Sequence, residues 1–168
     1  MRLALVSACT ALALAAAGCG AGSEVPQAIP GASEQLLTAA AVARYSADSP
    51  EHALLAWWRI AQFDDGLAFR AALAPPLRSR FESDPGFGDD LNFFAGSIRN
   101  AAPKVVNTEI DGDRARVFTI ITYRSPVGTT RFVTYSRPQA FELVRWRKRW
   151  LLADDSFVQS TLRQQAGR

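Results

Sequence analysis

A carboxylate held in an apolar pocket has a raised pKa and can move a proton near neutral pH, and a phenol beside it can donate or orient. Glu142, Tyr123 and Tyr135 are the residues of this 168-residue chain whose types and spacing fit that chemistry. Glu142 is the one acid between Arg114 and Arg149, and the two tyrosines fall on neighbouring expected strands. With those faces turned inward, the three side chains would make an acid/base centre. The plain alternative is that Glu142 pairs across strands with an arginine and the tyrosines are half-buried sheet residues. Nucleophilic catalysis of the Ser–His–Asp kind needs a base beside the nucleophile. His52 is the sole histidine, and a solvated place in the first turn of a helix accounts for it. One histidine and two cysteines, Cys9 and Cys19, fall short of the Cys/His set of the usual zinc sites and make no disulfide framework. No metal and no cofactor is therefore expected. Gly86-Phe87-Gly88 lacks the third glycine and the preceding strand of a phosphate loop.

Cys19 carries a different chemistry. Arg2 precedes an uncharged, mostly apolar run from Leu3 to Ala17. That run is shorter than the roughly 20 residues a bilayer span needs and fits the apolar region of a secretory signal. It ends Ala16-Ala17-Gly18-Cys19. This ending resembles the bacterial lipobox, with Ala16 standing where leucine is usual. The resemblance implies a diacylglycerol on the Cys19 thiol and cleavage before it. It also implies a partner in the membrane itself, the protein being lipid-anchored on the extracytoplasmic face of the bacterial cell membrane. The other reading is a plain signal peptide cut after Ala15-Ala16-Ala17. In both, Cys9 leaves with the signal.

The elements that would position these residues follow from periodicity and breakers. Residues 1–18 read as the signal. Residues 19–48 read as the lipidated cysteine and a Gly/Pro-containing tether, in which residues 34–44 are either helical or a partly ordered extension. Ser49-Pro50 is a helix start, a capping hydroxyl followed by proline at the first position, and Leu54, Trp57, Trp58 and Ala61 make one apolar stripe. A second, shorter helix runs through Leu67, Ala71 and Leu73 and ends at Pro75-Pro76. A turn is expected around Leu77 to Phe81 and a loop over Asp84 to Gly88. Asp89 is placed to cap a third helix carrying Leu91, Phe94, Ala95 and Ile98. Pro103 closes the helical half.

The period then changes to two. Strands are expected at 105–110, 114–123, 130–136, 140–146 and from Trp150 to Ala153, with Asp111-Gly112 as a hairpin signal. Short connections imply an antiparallel meander. The fold class is α+β: N-terminal helices packed on a curved, cone-like antiparallel sheet of four to five strands, a single domain over 49–158, with a polar tail at 159–168.

A long first helix with paired tryptophans, two short helices and then this meander resembles the nuclear transport factor 2-like superfamily, the cone of the SnoaL and cystatin-like folds. The ending Phe141-Glu142-Leu143-Val144-Arg145, then Arg149-Trp150-Leu151-Leu152-Ala153-Asp154, resembles that superfamily's last hairpin. The resemblance implies a sheet wrapped around a pocket, in members that include isomerases, dehydratases and cyclases. Trp57, Trp58, Phe118, Tyr123, Tyr135 and Trp146 would then line a hydrophobic pocket, the alternative being ordinary core.

Charge completes the picture. The net charge is +3, too small to mark a nucleic-acid binder, and no recognised nucleic-acid motif is present. The helix half is acidic and the sheet half, from Arg114 to Arg149, is basic. Such a sheet would meet anionic lipid heads or wall polymers, or it is a set of solvated strand positions that guard edges. The functional expectation is a lipid-anchored extracytoplasmic module, non-enzymatic, that binds a hydrophobic small molecule or an envelope protein. The alternative is a small acid/base enzyme using Glu142 with Tyr123 or Tyr135 on an apolar substrate.

Overall fold

Ser49 caps the long helix as its type suggests: its Oγ accepts from the His52 amide at 3.1 Å, and Pro50 occupies the first helical position. This is a computed structural model, and it describes residues 36–63, 66–127 and 131–159. Cys19, the apolar run before it, most of the tether, the Asp64-Asp65 break, the Gly128–Thr130 connection and the tail beyond residue 159 lie outside the described residues. The helices are α1 (Ala39–Val42), α2 (Pro50–Gln62), α3 (Gly66–Ala71), α4 (Pro75–Ser83) and α5 (Pro85–Ser97), the last running into a 3₁₀ turn at Ile98–Asn100. The strands are β1 (Ala101–Asp111), β2 (Arg114–Val127), β3 (Arg131–Trp146) and β4 (Arg149–Leu152). The chain is thus α+β, helices first and an open antiparallel sheet in the order β1-β2-β3-β4.

Several boundaries differ from the sequence reading, and proline explains most of them. Pro75-Pro76 begins α4 rather than ending α3. A residue without an N–H costs nothing in the first turn, where that donor has no helical partner. Likewise Asp84, not Asp89, caps α5: its Oδ1 accepts from Phe87 N at 3.1 Å, and Pro85 takes the first position. Pro103 lies inside β1, an edge strand, where a missing donor is tolerated. Pro138 lies inside β3, which is one continuous strand instead of two at 130–136 and 140–146. β4 pairs only with Leu143–Trp146, so one edge of β3 is open at Pro138.

α2 holds the helices to the sheet. Leu54, Trp57, Trp58 and Ala61 are all buried, as the stripe requires. Trp57 stacks on Phe69 and Phe94 at 5.2 and 6.0 Å between ring centroids and meets Phe157 edge-on at 5.6 Å. The Trp58 indole N–H donates to Ala101 O at 3.1 Å. From the sheet come the alternate residues Ala115, Val117, Thr119, Ile121 and Tyr123 of β2 and Phe141 and Leu143 of β3, all buried. Packing begins before Ser49: Leu37 is buried and its amide donates to Gln62 Oε1 at 2.9 Å.

At its last residue, Leu152, β4 runs beside residues 72–74. Leu152 N donates to Ala72 O at 3.0 Å, and Ala74 N donates to Leu152 O at 2.7 Å. This bridge brings the first turn of α4 to the end of the sheet.

Candidate functional site

β2 and β3 pair in one register, and that register decides where the chemistry-bearing residues stand. Tyr123 faces Tyr135 and Arg116 faces Glu142. Side chains alternate between faces along a strand. Tyr123 therefore shares the inner, helix-covered face with Val117 and Ile121, while Glu142 stands on the outer face with Arg116. Glu142 and Tyr135 are also seven residues apart on β3, roughly 23 Å along the strand. The structure brings the tyrosines together and places Glu142 elsewhere.

The tyrosines form a stacked pair, ring centroids 5.2 Å apart and planes within 10°. The Tyr123 hydroxyl accepts from Arg137 Nη2 at 2.6 Å, and the same guanidinium lies 4.5 Å from the ring centroid. Burial raises the Tyr123 pKa above the ordinary 10.0, against the opposing pull of Arg137. Tyr123 is thus a neutral phenol at physiological pH, held in the sheet by a cation. Glu142 takes the plain alternative: Arg116 Nε donates to its Oε1 at 2.5 Å. That hydrogen bond, and then the carboxylate charge, raise the Arg116 pKa further.

Around this ion pair lies a groove of about 750 Å³, open on the outer face at the end of the sheet. Pro75 and Pro76 form one wall, delivered by the bridge between residues 72–74 and Leu152. Trp146 and Val144 form the other, and Arg114, Arg116, Glu142 and Asp154 supply its polar groups. Trp146 is 49% exposed. Arg114 makes no ion pair with a described residue, and Asp154 Oδ1 accepts from Ser156 N at 3.2 Å. The groove thus offers a planar aromatic surface, two prolines and one uncommitted guanidinium. Sequence reasoning missed Arg114, Pro75, Pro76 and Asp154 as site residues, because nothing local signals that segments some 40 residues apart meet there.

The six residues expected to line a hydrophobic pocket do not share one. Trp57 and Trp58 are in the core, with 1% and 0% exposure. Tyr123 and Tyr135 lie on the inner face, Phe118 lies outside with Arg116 5.9 Å from its ring centroid, and Trp146 alone lines the groove. Among the described residues no three His, Cys, Asp or Glu side chains gather as a metal set, and no helix is long and apolar enough to cross a membrane.

The fold is similar to that of a solved SEC-C motif containing protein. That solution structure, from Rhodopseudomonas palustris, matches with a TM-score of 0.50 and 20% sequence identity, over 67% of this chain and 82% of the other. At that identity the likeness speaks for the fold alone. No protein-family model and no curated protein matches the chain. The family resemblance drawn from the sequence, a lipobox followed by a nuclear transport factor 2-like domain, is corrected by these comparisons, which return a SEC-C motif containing protein and support neither part. The physical source of the error is visible in the sheet. The resemblance counted two strands where β3 is one, and assumed closure where the sheet is open.

Proposed function

We propose that the chain is a non-enzymatic module that binds a partner protein through the outer-face groove. The observation that carries this reading is the half-exposed Trp146 beside Arg114, a guanidinium with no ion pair among the described residues. Trp and Arg are the side chains that most often anchor interfaces, since each offers a large rigid surface with a polar edge. The apolar surface continues beyond the groove on the same face through Phe118 and Ile120, the latter 40% exposed. That extent suits a protein segment better than a small molecule. Its chemistry follows from the strands: with nine basic residues against Glu142 between Arg114 and Arg149, the complementary segment carries apolar side chains flanked by carboxylates. A cone-like curvature around an inner pocket would need space under the helices, where Trp57, Trp58, Phe94 and Phe141 pack against one another. The acid/base alternative would need Glu142 released from Arg116.

The test is site-specific photocrosslinking in cells. A benzophenone side chain replacing Trp146 is expected to capture a discrete partner that the same group at Leu67, 76% exposed on α3, does not. Arg114→Glu should remove the adduct. Identical patterns from positions 146 and 67, or an adduct indifferent to Arg114→Glu, would sink the reading. Turnover of any substrate abolished by Glu142→Gln would favour the enzyme instead.

We further propose that the module sits at the extracytoplasmic face of the cell membrane, attached through Cys19. This rests on the chain's own residues, Arg2, the apolar run Leu3 to Ala17 and the cysteine after it, and not on a family. Two acyl chains on that thiol would give stable attachment where one gives marginal binding. Cys19→Ala is expected to move the protein from the membrane fraction to the soluble one. An unchanged membrane fraction would refute attachment through this residue.

A further inference from the structure

The outer-face groove calls for apolar side chains flanked by carboxylates, and the chain carries such a surface itself. α5 holds Asp89 and Asp90 and no Lys or Arg. Among the described helices, α1 is uncharged, while α2, α3 and α4 each carry at least one arginine. Asp89, Asn92, Phe93 and Gly96 recur at i, i+3, i+4 and i+7, one stripe along α5. All four are exposed, opposite the buried Phe87, Leu91 and Phe94. Phe93 is 47% exposed, and Asp89 and Asp90 make no ion pair with a described residue. A lone exposed phenylalanine is ordinary; what marks this one is its spacing from the acids.

That spacing agrees with the groove. Arg114 faces Val144 across the β2–β3 ladder, and Trp146 lies two residues further on the same face. Trp146 is thus the diagonal neighbour of Arg114, roughly 7–8 Å away. Asp89 precedes Phe93 by four residues, roughly 6 Å along a helix axis. A helix face laid on the groove can therefore put the Phe93 ring against Trp146, Pro75 and Pro76 while Asp89 reaches Arg114. The two halves of the chain are charged to match. Between Asp48 and Pro103, where the helices lie, eight acids stand against five arginines; from Arg114 to Arg149, nine basic residues stand against one acid.

We propose that the partner of the groove is a second copy of this chain, docked through the exposed stripe of α5. This rests on the groove being a protein-binding surface and names what fills it. Phe93 supplies the apolar anchor, and Asp89 neutralises Arg114. α5 lies on the helix-covered side of the sheet, where its Phe94 packs against Trp57 and Trp58, whereas the groove opens on the other side. A copy therefore fills its neighbour's groove and not its own. Such a head-to-tail contact closes into a ring or runs on as a filament.

Sedimentation velocity of the purified full chain, up to about 1 mM, is expected to show concentration-dependent association that weakens towards about 1 M salt, as screening of a charge pair requires. Arg114→Glu and Asp89→Arg should each weaken it at least about tenfold, because each sets like charges together. Phe93→Ser should act on the same scale, by removing the aromatic anchor. Mixing decides the matter. The Arg114→Glu chain keeps its α5 stripe and the Asp89→Arg chain keeps its groove, so an equimolar mixture should associate where each alone is weakened. That recovery also shows both variants folded. The proposal is overturned if the parent stays monomeric, if neither charge reversal weakens association, or if the mixture does not recover it. A monomeric chain whose position-146 benzophenone still gives an adduct lost in Arg114→Glu would mean that a different protein fills the groove: the second copy falls and the groove reading stands. Without such an adduct, both fall.

Discussion

Trp57→Ala is expected to cost about 3–5 kcal/mol of folding stability, the scale for truncating a fully buried large aromatic. The indole is 1% exposed and touches rings from three separate parts of the chain: Phe69 on α3, Phe94 on α5 and Phe157 beyond β4. It also lies 6.5 Å from Phe141 on β3. Removing it opens a void that none of these rings can fill without leaving another partner, so relaxation recovers little. Trp57→Phe should cost much less, because a ring remains in the stack and the unpaired N–H disappears with the indole. Urea unfolding of both variants reads the two numbers. A loss below about 1 kcal/mol for Trp57→Ala would remove the helix-on-sheet core described above.

The stripe that predicts this effect was legible because helical periodicity is a local signal. Leu54, Trp57, Trp58 and Ala61 are spaced for one face, and Ser49-Pro50 announces where the face begins. The alternation of Ala115 to Tyr123 was legible for the same reason, and all five odd positions are buried. What failed was everything set by pairing between distant segments. Pro138 reads as a break because proline cannot donate, and only the short reach of β4 shows why it is tolerated inside β3. With β3 split in two, its register against β2 was undefined, so the choice between Arg116 and the tyrosines as neighbours of Glu142 could not be made. The register settles it: Arg116 faces Glu142, and alternation puts the tyrosines on the other face. The groove depends on a longer link still, the hydrogen bonds of Ala72 and Ala74 to Leu152, for which the sequence carries no pattern.

Gln62 is the clearest case of a residue that periodicity cannot interpret, and it carries the second large expected effect. It sits eight residues after Leu54 on the buried face of α2, with 7% exposure. Its Oε1 accepts from Leu37 N at 2.9 Å, and its Nε2 donates to Ala101 O at 2.9 Å. One amide thus ties the segment before α1 and the start of β1 to the central helix, as only a group that both donates and accepts can do. Gln62→Leu keeps the bulk and removes both functions, leaving the buried Leu37 amide without its acceptor. Ala101 O keeps the Trp58 indole as a donor, so the loss falls mainly on the Leu37 side. The expected cost is about 2–4 kcal/mol, with faster hydrogen exchange at the Leu37 amide.

Gln62→Glu separates the two functions. Near neutral pH an ionised carboxylate still accepts from Leu37 N but gives nothing to Ala101 O, and it is buried. Its folded pKa should rise above the usual value of about 4.3. A raised folded pKa means that the folded state binds more protons between the two values, so stability is full below the unfolded pKa and falls as pH rises through the folded one. The glutamate variant should therefore be weaker than the parent at pH 7 and regain stability on acidification relative to it. A variant that tracks the parent at every pH, together with unchanged Leu37 exchange in Gln62→Leu, would show that this amide does not hold the N-terminal segment to the core.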